Sequence, residues 1–222
     1  MTTRPGSGSG EHDGAGVRAA RRGRRLWRDA SIHSPRGVTA IELIFTLATT
    51  VTVAAVSIAE TTSAVDELRT AMAARYVAGL IGSARLDAVR RAGAVALRFE
   101  PDGDDFVYTP VEDGNGNGVR TAEIRDGVDF MRGPGERLRD RFADVRFELG
   151  AGIPDADGDY VAGDGVRIGS SRLLTLSADG TATSGTLYIR GRRAQYAVRV
   201  LGATGRTRML QYSPGNRVWL SR

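Results

Sequence analysis

One carboxylate stands alone in the most apolar part of the chain. From Val38 to Ala59 run 22 residues, and Glu42 is the only charged side chain among them. A carboxylate inside an apolar helix is costly unless a cation pairs with it, so Glu42 calls for a partner. Cleavage between Gly37 and Val38 would create one: the new α-amino group of one subunit, able to pair with Glu42 of the next. Two acidic loops invite a second chemistry. Asp113-Gly114-Asn115-Gly116-Asn117-Gly118 places oxygen ligands as the opening of a calcium loop does, but its twelfth place is Ile124, and Glu123 falls one residue early. The expectation there is a hairpin turn rich in residues that tolerate positive φ, with no metal held. Asp155-Ala156-Asp157-Gly158-Asp159 repeats the spacing with Val166 at its twelfth place and reads as a solvated loop. A third group is cationic. Arg206 and Arg208 would share one face of a strand, with Arg190, Arg192, Arg193 and Arg199 nearby in sequence, and could bind phosphates through charge. Alternating arginines are equally the wet face of an edge strand.

Enzyme chemistry finds few candidates. The only histidines, His12 and His33, precede Gly37, so a His-based triad or histidine-ligated metal in the remainder is not expected. The chain has no Cys, which removes disulfides and thiolate metal sites. It has neither a Walker A loop nor a Gly-rich dinucleotide fingerprint between strand and helix. No catalytic role and no cofactor are expected.

The elements that must position these groups follow from texture. At ~1.5 Å per residue, residues 38–59 as a helix would cross a hydrocarbon core of ~30 Å. Between Pro35 and Pro101 no proline interrupts the chain. Beyond Ala59 an amphipathic pattern continues the helix over 60–92, with Val65, Leu68, Met72, Tyr76 and Leu80 as its packing stripe, prolonged by Leu86 and Val89, and Gly93 as its stop. From 93 to 222 short apolar runs alternate with Gly, Asp, Asn and Pro, giving candidate strands at 94–99, 106–109, 119–124, 145–149, 173–177, 185–190, 195–201, 206–212 and 217–220. The expected class is α+β: one long N-terminal helix, membrane-spanning in its first half, packed on an antiparallel β-sheet head. Charge agrees with a membrane reading. Residues 1–37 hold eight Arg against Glu11, Asp13 and Asp29, the whole net +5, while the remaining 23 Arg and 23 acids cancel. A leader this basic would stay cytoplasmic and the head would lie on the far side.

An Arg-rich leader ending in Gly37, followed by an apolar helix with Glu42 fifth from Val38, resembles a type IV prepilin or type II secretion pseudopilin. The resemblance implies cleavage by a prepilin peptidase between Gly37 and Val38 and N-methylation of Val38, although the family usually has Phe at that place. The stretch from Thr175 to Ile189, with Gly205-Arg206-Thr207-Arg208 after it, is similar to the C-terminal part of the GspH/FimT group of minor pilins, and that group's Asp, Asn and Gly turn is echoed by 113–118. What this implies is a type IV pilin-like subunit, single-pass in the inner membrane with a periplasmic head. Its partners would be other pseudopilins or pilins in a type II secretion pseudopilus. The alternatives are a minor pilin of a type IV pilus, binding DNA for uptake through Arg206 and Arg208, and an exported domain with an ordinary signal peptide cut after Ser57-Ile58-Ala59.

Overall fold

The computed structural model describes residues 37–160 and 163–222, with the backbone alone at 56–59. Residues 1–36, with both histidines, lie outside the described residues, as do the side chains of the alternative cleavage site at 57–59. The chain divides into two compact units, residues 1–46 and 47–222.

In the first unit Thr39 starts helix α1 (Ala40–Arg91). Its Oγ1 accepts the Glu42 backbone N–H at 3.3 Å, and its carbonyl takes the N–H of Leu43 at 3.1 Å. Thr46 turns its hydroxyl back onto the helix, donating to the carbonyls of Glu42 and Leu43 at 2.9 Å each. In the second unit Thr52 does the same to Ala48 at 2.8 Å. A polar side chain that satisfies itself on its own helix is compatible with an apolar medium. The side chains of Ile41, Leu43, Ile44, Phe45, Leu47, Val51 and Val53 are all exposed, and this helix is long and apolar enough to cross a membrane.

The later part of α1 packs with a face that the apolar spacing does not indicate. Val65, Leu68 and Met72 stand outside, at 45%, 58% and 43% exposure, and Leu86 and Val89 are exposed as well. Tyr76 and Leu80 are half-buried at the margin of the core. The buried face is instead Asp66, Thr70, Ala73, Ala74, Val77, Ile81, Ala84 and Ala88. Alanines allow the backbone to approach the sheets closely. Each contributes only about one methyl of burial, roughly 0.8 kcal/mol, against 1.5–3 kcal/mol for a fully buried Val or Ile. The larger side chains lost this contest because the interface selects for small residues. The helix ends at Arg91, one residue short of the expected end at 92: Gly93 N–H donates to Ala88 O at 3.2 Å and Ala92 N–H to Val89 O at 3.3 Å. These bonds form a Schellman ending in which Ala92, at φ 52°, takes the left-handed position.

The strands in chain order are β1 (Val95–Asp102), β2 (Asp105–Glu112), β3 (Phe130–Met131), β4 (Glu136–Arg137), β5 (Arg146–Phe147), β6 (Val166–Arg167), β7 (Leu173–Leu176), β8 (Gly185–Arg190), β9 (Gln195–Leu201), β10 (Arg206–Ser213) and β11 (Val218–Ser221), with short helices α2 (Thr121–Arg125) and α3 (Leu138–Arg141) among them. They form two sheets. One has the order β3-β2-β1-β7 with β4 also on β2; the other runs β11-β10-β9-β8-β5 with β6 also on β8. All pairings are antiparallel. Val95, Leu97 and Phe99 of the first sheet and Leu187, Ile189, Val198 and Val200 of the second join the helix face in one core. The class is α+β. The strand expected at 119–124 is a correction: Arg120 precedes α2 in extended conformation, and only Ile124 of that helix is buried.

Candidate functional site

Gly37 and Val38 lead directly into the helix start, and Glu42 occupies its first turn. Thr39-x-x-Glu42 has the spacing of a capping box, in which the threonine hydroxyl takes an N–H of the first turn and an acid or amide stands three residues on. The partly positive end of the helix macrodipole also favours a carboxylate there. Glu42 therefore has a local reason for its place, and among the described residues it has no ion pair.

The arginines separate by strand register. In the second sheet Leu187, Ile189, Val198 and Val200 point to the core, so the alternate residues form an outer face. Half of that face is covered: Leu149, Ile153 and Ala156 pack on Tyr188, Ala197, Leu210 and Trp219, with Trp219 Nε1 donating to Pro154 O at 2.9 Å. Around this cover the arginines pair with acids from the same stretch of chain. Arg146 and Arg190 both clasp Glu148, Arg167 clasps Asp155, and Arg199 Nη2 donates to Asp157 Oδ1 at 2.7 Å. Arg206 and Arg208 lie on the same outer face of β10, exposed, and neither has an ion pair among the described residues. Of the arginines near them in sequence, register brings only Arg199 alongside, directly opposite Arg208. Arg190 lies at the far end of the β8–β9 hairpin, and Arg192 and Arg193 are in its turn. Beside Arg199 a shallow cavity of about 450 Å³ opens, lined by Ser184, Thr186, Leu201 and Gly202.

No family model, curated protein or solved structure matches the chain.

The two acidic loops depart from expectation. Asp113 takes the N–H groups of Asn115, Gly116 and Gly118 at 3.1, 2.7 and 2.7 Å, while Asn115 and Asn117 donate their side-chain amides to Glu123. Burial opposes the charge of Asp113, but these backbone donors outweigh it and hold its pKa below the usual value. Gly116 and Gly118, at φ 81° and 90°, supply the left-handed turns. The loop is not a hairpin: it winds into α2, and only then does the chain return to pair β3 with β2. Buried Asp129 fastens it, accepting from Gly114 N–H at 3.1 Å and Arg120 N–H at 2.8 Å. Nor is the second loop simply solvated. Asp155 is 4% exposed and accepts from the N–H groups of Asp157 and Asp159. Among the described residues no three His, Cys, Asp or Glu side chains are grouped to hold a metal ion.

Asp66 falls between the stripe residues, on the side that the apolar spacing reads as solvated, and the structure corrects that reading. Asp66 is buried in α1 and its carboxylate accepts the N–H groups of Arg192, Arg193 and Ala194, the turn between β8 and β9, at 2.9, 2.8 and 3.1 Å. Burial pushes its pKa up, but those three donors and the charge of Arg69 prevail and lower it. The available signal was Asp66-x-x-x-Thr70 in register with the alanines on one helix face, an acid and a hydroxyl where a solvated face would have been read.

Proposed function

We propose that the chain is a minor pilin-like subunit, of GspH/FimT type, assembled into the periplasmic pseudopilus of a type II secretion system. A prepilin peptidase cuts between Gly37 and Val38 and methylates Val38. The apolar half of α1 holds the subunit in the inner membrane, and on assembly Glu42 pairs with the new amino group of a neighbour. One observation carries the reading: an exposed apolar helix bears a single acid in its first turn, directly after Gly37-Val38, and the same helix continues into the core of an antiparallel head.

The mass of the N-terminal peptide from native membranes tests the processing. A peptide beginning at Val38 and heavier by one methyl group supports it, whereas one beginning at Glu60 would make the protein an exported domain with a conventional signal. Glu42→Gln separates the two roles of the acid, because Gln serves a capping box as Glu does while carrying no charge. The variant is expected to insert into the membrane normally and to be lost from filaments; its presence there at the normal level refutes the pairing.

A second reading is favoured by Arg206 and Arg208. Cations left unpaired on a face where the other arginines are matched by acids support a minor pilin of a type IV pilus that engages nucleic-acid phosphates. Salt-dependent binding of duplex DNA, abolished in Arg206→Ala/Arg208→Ala, is the expected result, and binding unchanged by the double substitution excludes the assignment.

A further inference from the structure

A row of side chains crosses four strands on the outer face of the second sheet. Arg167 of β6 stands opposite Thr186 of β8, Thr186 opposite Arg199 of β9, and Arg199 opposite Arg208 of β10. With strands ~4.8 Å apart, the row from Arg167 to Arg208 is roughly 14 Å long. Arg206 extends it at the β10 end, two residues from Arg208 on the same face.

The protein's own acids already lie on half of that row, and the two concerned differ in kind. Asp155 is buried, pairs with Arg167 and gathers the N–H groups of Asp157 and Asp159, so it anchors its segment. Asp157 is 69% exposed at its side chain and, among the described residues, makes one side-chain contact of charge, to Arg199. Exposed pairs of this sort are weak and exchange readily. No aromatic side chain belongs to the row, so what it attracts is backbone charge rather than stacked bases.

We infer that the segment 155–159 is a built-in phosphate mimic, in which Asp157 occupies on Arg199 the place of a nucleic-acid phosphate and holds the arginine row at reduced affinity. The inference rests on the nucleic-acid reading of this face. Engagement at Arg206 and Arg208 brings a phosphate backbone alongside Arg199, where it displaces Asp157 and gains a third cation. Removing the carboxylate should supply that cation from the outset.

The test is the binding of a short fluorescent DNA duplex to the full chain in detergent, followed by anisotropy. Asp157→Asn is expected to bind more tightly than the unsubstituted chain at about 50 mM salt. One added phosphate contact steepens the salt dependence by about 0.9 in log–log slope, so the advantage should shrink about 3.5-fold by about 200 mM. The gain should vanish in Asp157→Asn/Arg199→Ala and be absent in Asp140→Asn, which removes an exposed acid elsewhere. Binding by Asp157→Asn alone, with the unsubstituted chain silent, also supports the mimic. If Asp157→Asn matches the unsubstituted chain in affinity and slope while Arg206→Ala/Arg208→Ala abolishes binding, the mimic is wrong and the reading of the face stands. An equal gain in Asp140→Asn overturns the mimic as a mere effect of net charge. Silence of both the unsubstituted chain and Asp157→Asn overturns the reading of the face and the mimic with it.

Discussion

Three backbone N–H groups of the β8–β9 turn converge on Asp66, the one carboxylate on the buried helix face. Replacing the carboxylate by an amide keeps one acceptor and sets an NH₂ against inward-pointing donors. Hydrogen bonds to a charged group are each worth about 1.5–3 kcal/mol, so Asp66→Asn should cost about 3 kcal/mol in denaturant unfolding, with an unchanged slope. The pH dependence follows from the lowered pKa of Asp66. Its stabilisation is complete above the unfolded-chain value of ~3.9 and drains away as pH falls through the lower folded-state value. Below about pH 4 the unsubstituted protein should therefore lose stability more steeply than Asp66→Asn; parallel curves there would show that Asp66 does not carry the acid sensitivity. Neither this clamp nor the Asp129 fastening was legible in the sequence. An acid's partners here are backbone groups as many as 128 residues away, and no spacing encodes them.

At the scale of elements the sequence was more informative. Periodicity located α1 to within a residue at its C-terminal end, and β8 and β9 were delimited to the residue, because long runs of one period leave little choice. It misread which face of α1 packs, since apolar size points outward where the sheets admit only alanine. It also missed β3, β4 and β6, whose two residues each hold no period to read. Two substitutions test the fit of helix to sheet. A Cβ on Gly191 would stand 2.1 Å from Thr70 Oγ1 and 2.7 Å from Asp66 Oδ1, so Gly191→Ala should destabilise by about 1–3 kcal/mol, visible as a lower unfolding midpoint. Ala92 sits at φ 52°, where a Cβ is penalised, and Ala92→Gly should stabilise by about 1 kcal/mol in the same assay. A loss there would mean that the Ala92 methyl contributes packing that the helix ending does not reveal.

For the molecule as a whole, the stripe of Val65, Leu68 and Met72 is apolar, exposed and not needed by the head's core. Leu68→Ser should leave unfolding within about 0.5 kcal/mol of the parent, as surface changes do. On the filament reading it should lower the fraction of subunits recovered in assembled form, and full recovery would remove this face from assembly. The placement of charge was legible from sequence and puts the whole surplus in residues 1–37. The pairing of Arg146, Arg167, Arg190 and Arg199 with acids, which leaves Arg206 and Arg208 without an ion pair among the described residues, was not, because it depends on strand register.

The Asp66 clamp also governs how the subunit would carry load. Sliding α1 along its axis by one turn, ~5.4 Å, would bring Thr62 or Thr70 to the hairpin in place of the carboxylate. Neither residue brings a negative charge to three converging N–H groups, so neighbouring registers are not alternative resting places and the helix has no ratchet of equivalent positions. An axial pull on this part of α1 would be passed to the second sheet through that buried clamp, beside the exposed hydrogen bond from Gln211 to Glu67, and failure under tension should begin at the β8–β9 turn rather than as gradual slip along the alanine face.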